Sequence, residues 1–425
     1  MNRIHPYITA ALFLASLSAG EGLAQNVTLQ SSTPGTPQVG HMNITGTGIA
    51  GTFAGRHLDK GGQVFNVKGY GAKGDNLTDD TAAIQSAISA CQSGGGGVVF
   101  LPSGNYRTTG LTVTGQGVVL QGTPQSTLIG ASTTQWVLLF DSPGSLAFHN
   151  ELLTLTIGHA NQGQSSSVGA VRLFNQAQFL ISDVRVGASA GGGLPNLGIY
   201  LENAQSGTVM DSIIGRLGNG VTLYKSGNLT LNNILVANTG GTGFLIDAVG
   251  GLWGYALQTY NNSGFGFYVY DSIPNDGYFS ENQFYTACAG DTSGLPNWVV
   301  ASVRRLSLDH CWGASNISKD QNTWASGFYF IGTINGSGYS SVTDVTMTGC
   351  WAVQNNKRGI EIADAQNVSV LNCEVLGNSV SGNSQEGIGI LGRSSNIRLV
   401  GNRCRDDHLV PSTLPEDATS WNRRA

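Results

Sequence analysis

Residues 198–269 read GIYLENAQSGTVMDSIIGRLGNGVTLYKSGNLTLNNILVANTGGTGFLIDAVGGLWGYALQTYNNSGFGFYV, and one short phrase returns through them. Gly198-Ile199-Tyr200-Leu201, Gly220-Val221-Thr222-Leu223, Gly243-Phe244-Leu245-Ile246 and Gly266-Phe267-Tyr268-Val269 are led by glycines 22, 23 and 23 residues apart. The phrase is too short for a helix, and its two-residue alternation sends one set of side chains inward and the other outward, as in a strand. It resumes at Gly327-Phe328-Tyr329-Phe330, Gly359-Ile360-Glu361-Ile362 and Gly387-Ile388-Gly389-Ile390 after longer gaps. A second apolar unit tracks it: LTLNNI at 229–234, LSLDHC at 306–311, VTMTGC at 345–350 and VSVLNC at 368–373.

A period of roughly 20–30 residues built only of strands and turns is that of a solenoid, in which each coil buries its apolar face on its neighbours. A sandwich or barrel has no reason to repeat one strand–turn phrase at one spacing. The expected fold is all-β: a single-stranded right-handed parallel β-helix over residues 63–404. One helix is expected, over about 80–92, where Ile84, Ala87, Ile88 and Cys91 form a single apolar stripe. Thr78, Asp79 and Asp80 stand where caps and dipole-complementing acids belong, and glycines 94–97 end it.

The repeat accounts for residues that otherwise invite functional readings. Asp183, Asn233, His310, Gly349 and Asn372 each precede the inward residue of a later strand. Such a corner favours the left-handed region, which Gly, Asn, Asp and His tolerate, so His310 reads as a turn residue. Cys311, Cys350 and Cys373, joined by Cys288, fall on one inward position in different coils. In-register stacking does not supply the dihedral a disulfide needs, so these read as a buried thiol ladder.

Composition narrows the function classes. Of 425 residues 61 are Gly and 11% are charged, with a net charge of −5 and no basic tract. That argues against a nucleic-acid partner or an anionic membrane surface. Arg3, the apolar residues 8–19 and Gly22-Leu23-Ala24 have the form of an export signal over 1–24, and no segment is long and apolar enough to span a bilayer. Residues 25–62 read as an extended leader and 405–425 as a tail, placing the protein outside the cytoplasm, secreted or periplasmic.

Residues 70–89 (YGAKGDNLTDDTAAIQSAIS) followed by 97–107 (GVVFLPSGNYR) resemble the N-terminal signature of the pectate-lyase-superfamily and polygalacturonase-like β-helix proteins. The resemblance implies that the helix plugs the open end of the β-helix, and that Asp75, Asp79 and Asp80 are structural. It spans lyases, hydrolases, epimerases and phage tailspikes, so it does not settle chemistry. The chain departs from the polygalacturonase pattern, with Asn238-Thr239-Gly240 where a third-position Asp is wanted, Gly158-His159-Ala160 for Gly-His-Gly, and no Arg-Ile-Lys.

The outward residues of the glycine-led strands carry the functional expectation. Tyr200, Tyr224, Tyr268, Tyr270 and Tyr329 would make stacking platforms for sugar rings. Glu202 and Asp247 share one ladder position two coils apart, with Tyr224 between them, and Glu361 is a third candidate acid. Two coil steps make roughly 9.6 Å at the backbone. Side-chain tilt brings that within the ~6.5–9.5 Å of an inverting glycosidase pair. Lys225 and Arg358, at the sheet edges, would neutralise a uronate carboxylate in a lyase. A lyase would also have room for Ca²⁺ on Asp247 and Glu202, although no ligand spacing demands a metal and a hydrolase requires no cofactor. Loops expected at 271–282, 289–297, 313–326 and 332–344, carrying Asp271, Asp276, Tyr278, Trp324 and Tyr339, would wall the groove. The expected partner is a polysaccharide, bound and depolymerised by hydrolysis or β-elimination. A noncatalytic adhesin or tailspike-like module stays open, as does an oligomer.

Overall fold

The computed structural model describes residues 57–59, 62–160, 167–187, 196–272, 280–316, 326–334, 336, 338–379 and 386–405. The expected export signal, most of the leader, the tail after Arg405, and Asp276, Tyr278 and Trp324 lie outside them. The described residues form a parallel β-helix with three strand-bearing sides. One side is an eleven-stranded parallel sheet running in chain order from Leu111–Val113 to Ile388–Leu391. The other two are formed by a sheet that bends at a corner in each coil. Arg304–Asp309 and Trp312–Ala314 flank one such corner and pair in parallel with Thr343–Thr348 and Trp351–Val353 of the next coil. We take the crossovers as right-handed, the sense that parallel connections adopt almost without exception.

The glycine-led phrase is the eleven-stranded side. Ile199, Leu201, Val221, Leu223, Phe244, Ile246, Phe267 and Val269 all point inward and are fully buried. At Gly243 and Gly266 the leading glycine is a steric requirement. A Cβ on Gly243 would stand 2.7 Å from the Gly266 carbonyl oxygen of the next coil, and one on Gly266 would stand 2.6 Å from that of Asn297. The inward aromatics stack along the solenoid axis: Phe244 on Phe267 at 4.8 Å and Phe267 on Trp298 at 3.8 Å between ring centroids.

Trp298–Ala301 is a coil that the glycine rhythm misses, because Asn297 holds the leading position. A second missed coil is Gly169–Phe174, which pairs Val171 with Ile199, 28 residues on (199 − 171). Residues 289–297, expected as a loop, begin with strand Ala289–Asp291. Likewise Gly313 and Ala314 belong to Trp312–Ala314, not to an insertion.

Left-handed backbone marks the corners as expected: Asp183, Asn233, His310, Gly349 and Asn372 have φ between 49° and 60°. His310 Nδ1 lies 2.9 Å from its neighbour Asp309. Cys288, Cys311, Cys350 and Cys373 are buried and unbridged in successive coils. Burial pushes the Cys311 thiol up, and hydrogen bonding along the ladder pushes up Cys350 and Cys373.

The helix α1 spans Thr81–Ser93, one residue displaced from expectation at each end. Its stripe Ile84, Ala87, Ile88 and Cys91 is fully buried against strands Gly62–Asn66, Gly97–Phe100, Leu111–Val113 and Val118–Gln121 of the first coils. The acids before it are structural, though not all as caps. Asp79 accepts from Thr81 N at 2.9 Å. Asp80, at the N-cap, turns back to accept from Lys73 N and Gly74 N at 2.6 and 2.9 Å. Asp75 accepts from Leu77 N, Thr78 N and Thr78 Oγ1, which hold its carboxyl at about 2.

Candidate functional site

The outer face of the eleven-stranded sheet gathers most of the expected residues, because in-register pairing stacks equivalent positions. One ladder runs Arg172, Tyr200, Thr222, Leu245, Tyr268. The ladder two residues on runs Phe174, Glu202, Tyr224, Asp247, Tyr270. Glu202 and Asp247 therefore flank Tyr224 directly.

Each carboxylate is held. Arg172 Nη2 donates to Glu202 Oε2 at 2.6 Å across the diagonal between adjacent strands. Asp247, 7% exposed, accepts from Ser272 N at 2.8 Å and from Ser272 Oγ at 2.7 Å. Tyr270 stands beside Asp247 on the next strand of the same ladder. Tyr268 and Tyr270 stack at 4.2 Å and 9°. Trp136 stacks on Tyr200 at 5.9 Å. Lys225 occupies a left-handed corner, φ 46°, with Nζ 5.5 Å from the centre of the Tyr224 ring. Burial, then the charge of Glu202, push the Tyr200 phenol up to about 12, with Tyr224 and Asp247 adding to the effect. Burial and Asp247 raise Tyr268 and Tyr270 too. These phenols are hydrogen-bond donors across the neutral range.

Tyr329 and Glu361 continue the first ladder past Tyr268 and Val299, with Arg358 beside them. Glu361 lies six strands on from Leu197–Glu202, one more than the sequence count of about five, because Trp298–Ala301 intervenes. Its carboxylate accepts from Ser326 Oγ at 2.8 Å and pairs with Arg358 at 3.5 Å, while Arg358 also pairs with Glu386. Tyr329, 7% exposed, packs with Val299 and Ala363 under partly buried Tyr268, Ile331 and Leu391. Burial, then Glu361 and Asp364, push its phenol up to about 12. Asp271 is a buried acceptor for Ser280 N at 3.4 Å, and Tyr339 is exposed. His159 is buried on another side, with Nε2 2.7 Å from Ser132 O.

Sequence reasoning missed Arg172, Ser272 and Trp136. Arg172 had a weaker signal, since Val171-Arg172-Leu173 keeps the alternation of Ile199-Tyr200-Leu201 but Ala170 stands where Gly198 leads the next coil. Ser272 had none, because its role depends on where the chain turns after Tyr270. Among the described residues, no three His, Cys, Asp or Glu converge to hold a metal. The Asp247 oxygens face serine donors and Glu202 faces a guanidinium, a donor set that does not fit the six to eight oxygens Ca²⁺ takes. No described helix is long and apolar enough to cross a membrane.

Comparison with known proteins agrees with this architecture. Residues 64–268 match the family model described as rhamnogalacturonase A/epimerase, pectate lyase-like. Alginate lyase 7 of Azotobacter vinelandii is 63% identical over 46 residues, 11% of this chain and 5% of that protein. Rhamnogalacturonase A of Aspergillus aculeatus is 40% identical over 87 residues, covering 18% of this chain and 19% of its own. The chain thus spans only a small fraction of these curated relatives. Among solved structures, the A-module of the Azotobacter vinelandii mannuronan C-5 epimerase AlgE6 superposes with a TM-score of 0.62 at 18% identity, covering 80% of this chain and 98% of that one. Together these make the chain a parallel β-helix protein whose residues 64–268 are similar to the pectate lyase-like family.

Proposed function

We propose that this protein is an exported enzyme that binds a polysaccharide across the outer face of its eleven-stranded sheet and cleaves it by hydrolysis. Tyr200, Tyr224, Tyr268 and Tyr270 bind sugar rings, with Lys225 at the lip. Glu202 and Asp247 act as the acid–base pair, one protonating the leaving oxygen and the other activating water. The observation that carries this reading is the Glu202–Tyr224–Asp247 ladder, in which each carboxylate has its own fixed donor. Two coil steps, roughly 9.6 Å at the backbone, suit the wide separation of an inverting pair better than the ~5 Å of a retaining one. No step in this mechanism runs through a metal.

A second reading is β-elimination or epimerisation of a uronate polymer, which share removal of the proton beside the carboxylate. It is favoured by the relatives' names, an alginate lyase and a mannuronan C-5 epimerase, and by Lys225 beside Tyr224. Tyr329, Arg358 and Glu361, engaged with one another and with Ser326 and Glu386, would serve as a distant subsite of the same face.

One assay separates these outcomes. The protein is incubated with mannuronan, rhamnogalacturonan and a neutral glucan, and new reducing ends, unsaturated-product absorbance and polymer composition are followed. Reducing ends without absorbance are expected. Reducing ends with absorbance indicate a lyase, and altered composition without cleavage an epimerase. Binding with no chemical change would overturn the enzymatic reading in favour of an adhesin.

A further inference from the structure

We infer that Arg172 is a positioning residue that acts through Glu202, an inference that rests on the acid–base role proposed for Glu202. Arg172 lies on the strand before Glu202 and one ladder over, so its side chain must cross diagonally to reach the carboxylate. Three contacts fix that crossing. Nη2 bonds Glu202 Oε2 at 2.6 Å, while the guanidinium carbon sits 5.1 Å from the Phe174 ring centre and 5.8 Å from that of Tyr200. Two aromatic faces thus hold the cation from either side of its reach, in the geometry of cation–π attraction. Tyr200 is itself backed by Trp136. The planar, pre-organised fork of arginine suits such a stacked site, and lysine would keep the charge without the fork.

The pair is not explained as a stabilising salt bridge. Its side chains are only 29% and 22% exposed, so desolvation offsets much of what the ion pair contributes to stability. Moreover, Arg172 Nε is buried with no hydrogen-bond partner among the described residues, which costs stability. What the arrangement does achieve is direction: Glu202 is held by one oxygen from the Phe174 side, and its strand pairing places it beside Tyr224, toward Asp247.

The test is a double-mutant cycle on mannuronan, rhamnogalacturonan and the neutral glucan with Arg172→Met, Arg172→Lys, Glu202→Gln and the Arg172→Met/Glu202→Gln double variant. Misplacing a reacting group by about 1 Å costs on the order of 10²-fold. Arg172→Met should therefore lower kcat on that order with KM and melting temperature near wild type, and Arg172→Lys should recover part of it. The double variant should be no slower than Glu202→Gln alone. A rise in KM at unchanged kcat, or losses that multiply in the double variant, would overturn the inference. If Glu202→Gln is slow while Arg172→Met turns over normally, only this inference falls. If Glu202→Gln itself turns over normally, or the wild type acts on none of the three polymers, the proposed function falls with it.

Discussion

Ser272 holds Asp247 by two bonds at once, its amide on Oδ1 at 2.8 Å and its hydroxyl on Oδ2 at 2.7 Å. The serine lies just past the end of strand Phe267–Tyr270, one coil beyond the carboxylate, so the chain's turn out of the sheet orients an acid of the preceding coil. Ser272→Ala keeps the amide bond and removes the other. A hydrogen bond to a charged group contributes about 1.5–3 kcal/mol. The variant should lose stability of that order in urea unfolding and turn over more slowly. An unchanged midpoint and rate would mean that the hydroxyl does not orient Asp247.

The thiol ladder predicts a labelling pattern. Cys288, Cys311, Cys350 and Cys373 are buried and unbridged. A thiol reagent should find none of the four in the native protein and all of them after denaturation without reductant. Disulfide-linked peptides joining any two would contradict the ladder.

Burial of the α1 stripe predicts a large effect at one end of the solenoid. Ile84 has no exposed surface, and Ile84→Asp would place an unpaired charge against the first coils. The loss should be about 3 kcal/mol or more. An unchanged melting temperature would mean that the helix does not dock there.

Asp75 predicts a pH dependence of known sign. Three donors from Leu77 and Thr78 hold its folded carboxyl at about 2, below the usual 3.8. A depressed carboxylate stabilises the fold above its unfolded value, and the contribution is lost as pH falls through about 2. Asp75→Asn should therefore melt below wild type at pH 6, with the gap closing between pH 4 and pH 2. A gap that persists to pH 1.5 would place the effect elsewhere.

Much of the fold was legible because each coil restates one rule. Inward residues alternate, a glycine sits where the next coil's carbonyl leaves no room for a Cβ, and left-handed corners select Asn, Asp, Gly and His. The rule failed where another residue took the special position. Asn297 replaced the leading glycine in one coil and Ala170 in the coil of Arg172. The Glu202–Asp247 ladder was legible for the same reason, since register follows from the repeat. The partners of those acids were not. Arg172 reaches Glu202 diagonally, and Ser272 reaches Asp247 from a turn, and neither relation has a period to betray it. The fate of Tyr329 was equally hidden, because outward residues are exposed by strand geometry and covered only by what packs over them.

The central claim is that Glu202 and Asp247 do acid–base chemistry on a bound polysaccharide, and isosteric neutralisation tests it most directly. Glu202→Gln and Asp247→Asn are compared with wild type for melting temperature, affinity and turnover on whichever polymer the wild type converts. Fold and affinity should be retained while turnover falls by ~10²–10⁴-fold, the usual contribution of general acid–base catalysis. Near-wild-type turnover in both variants would contradict the claim and leave the two acids as polar residues on the outer face of the sheet.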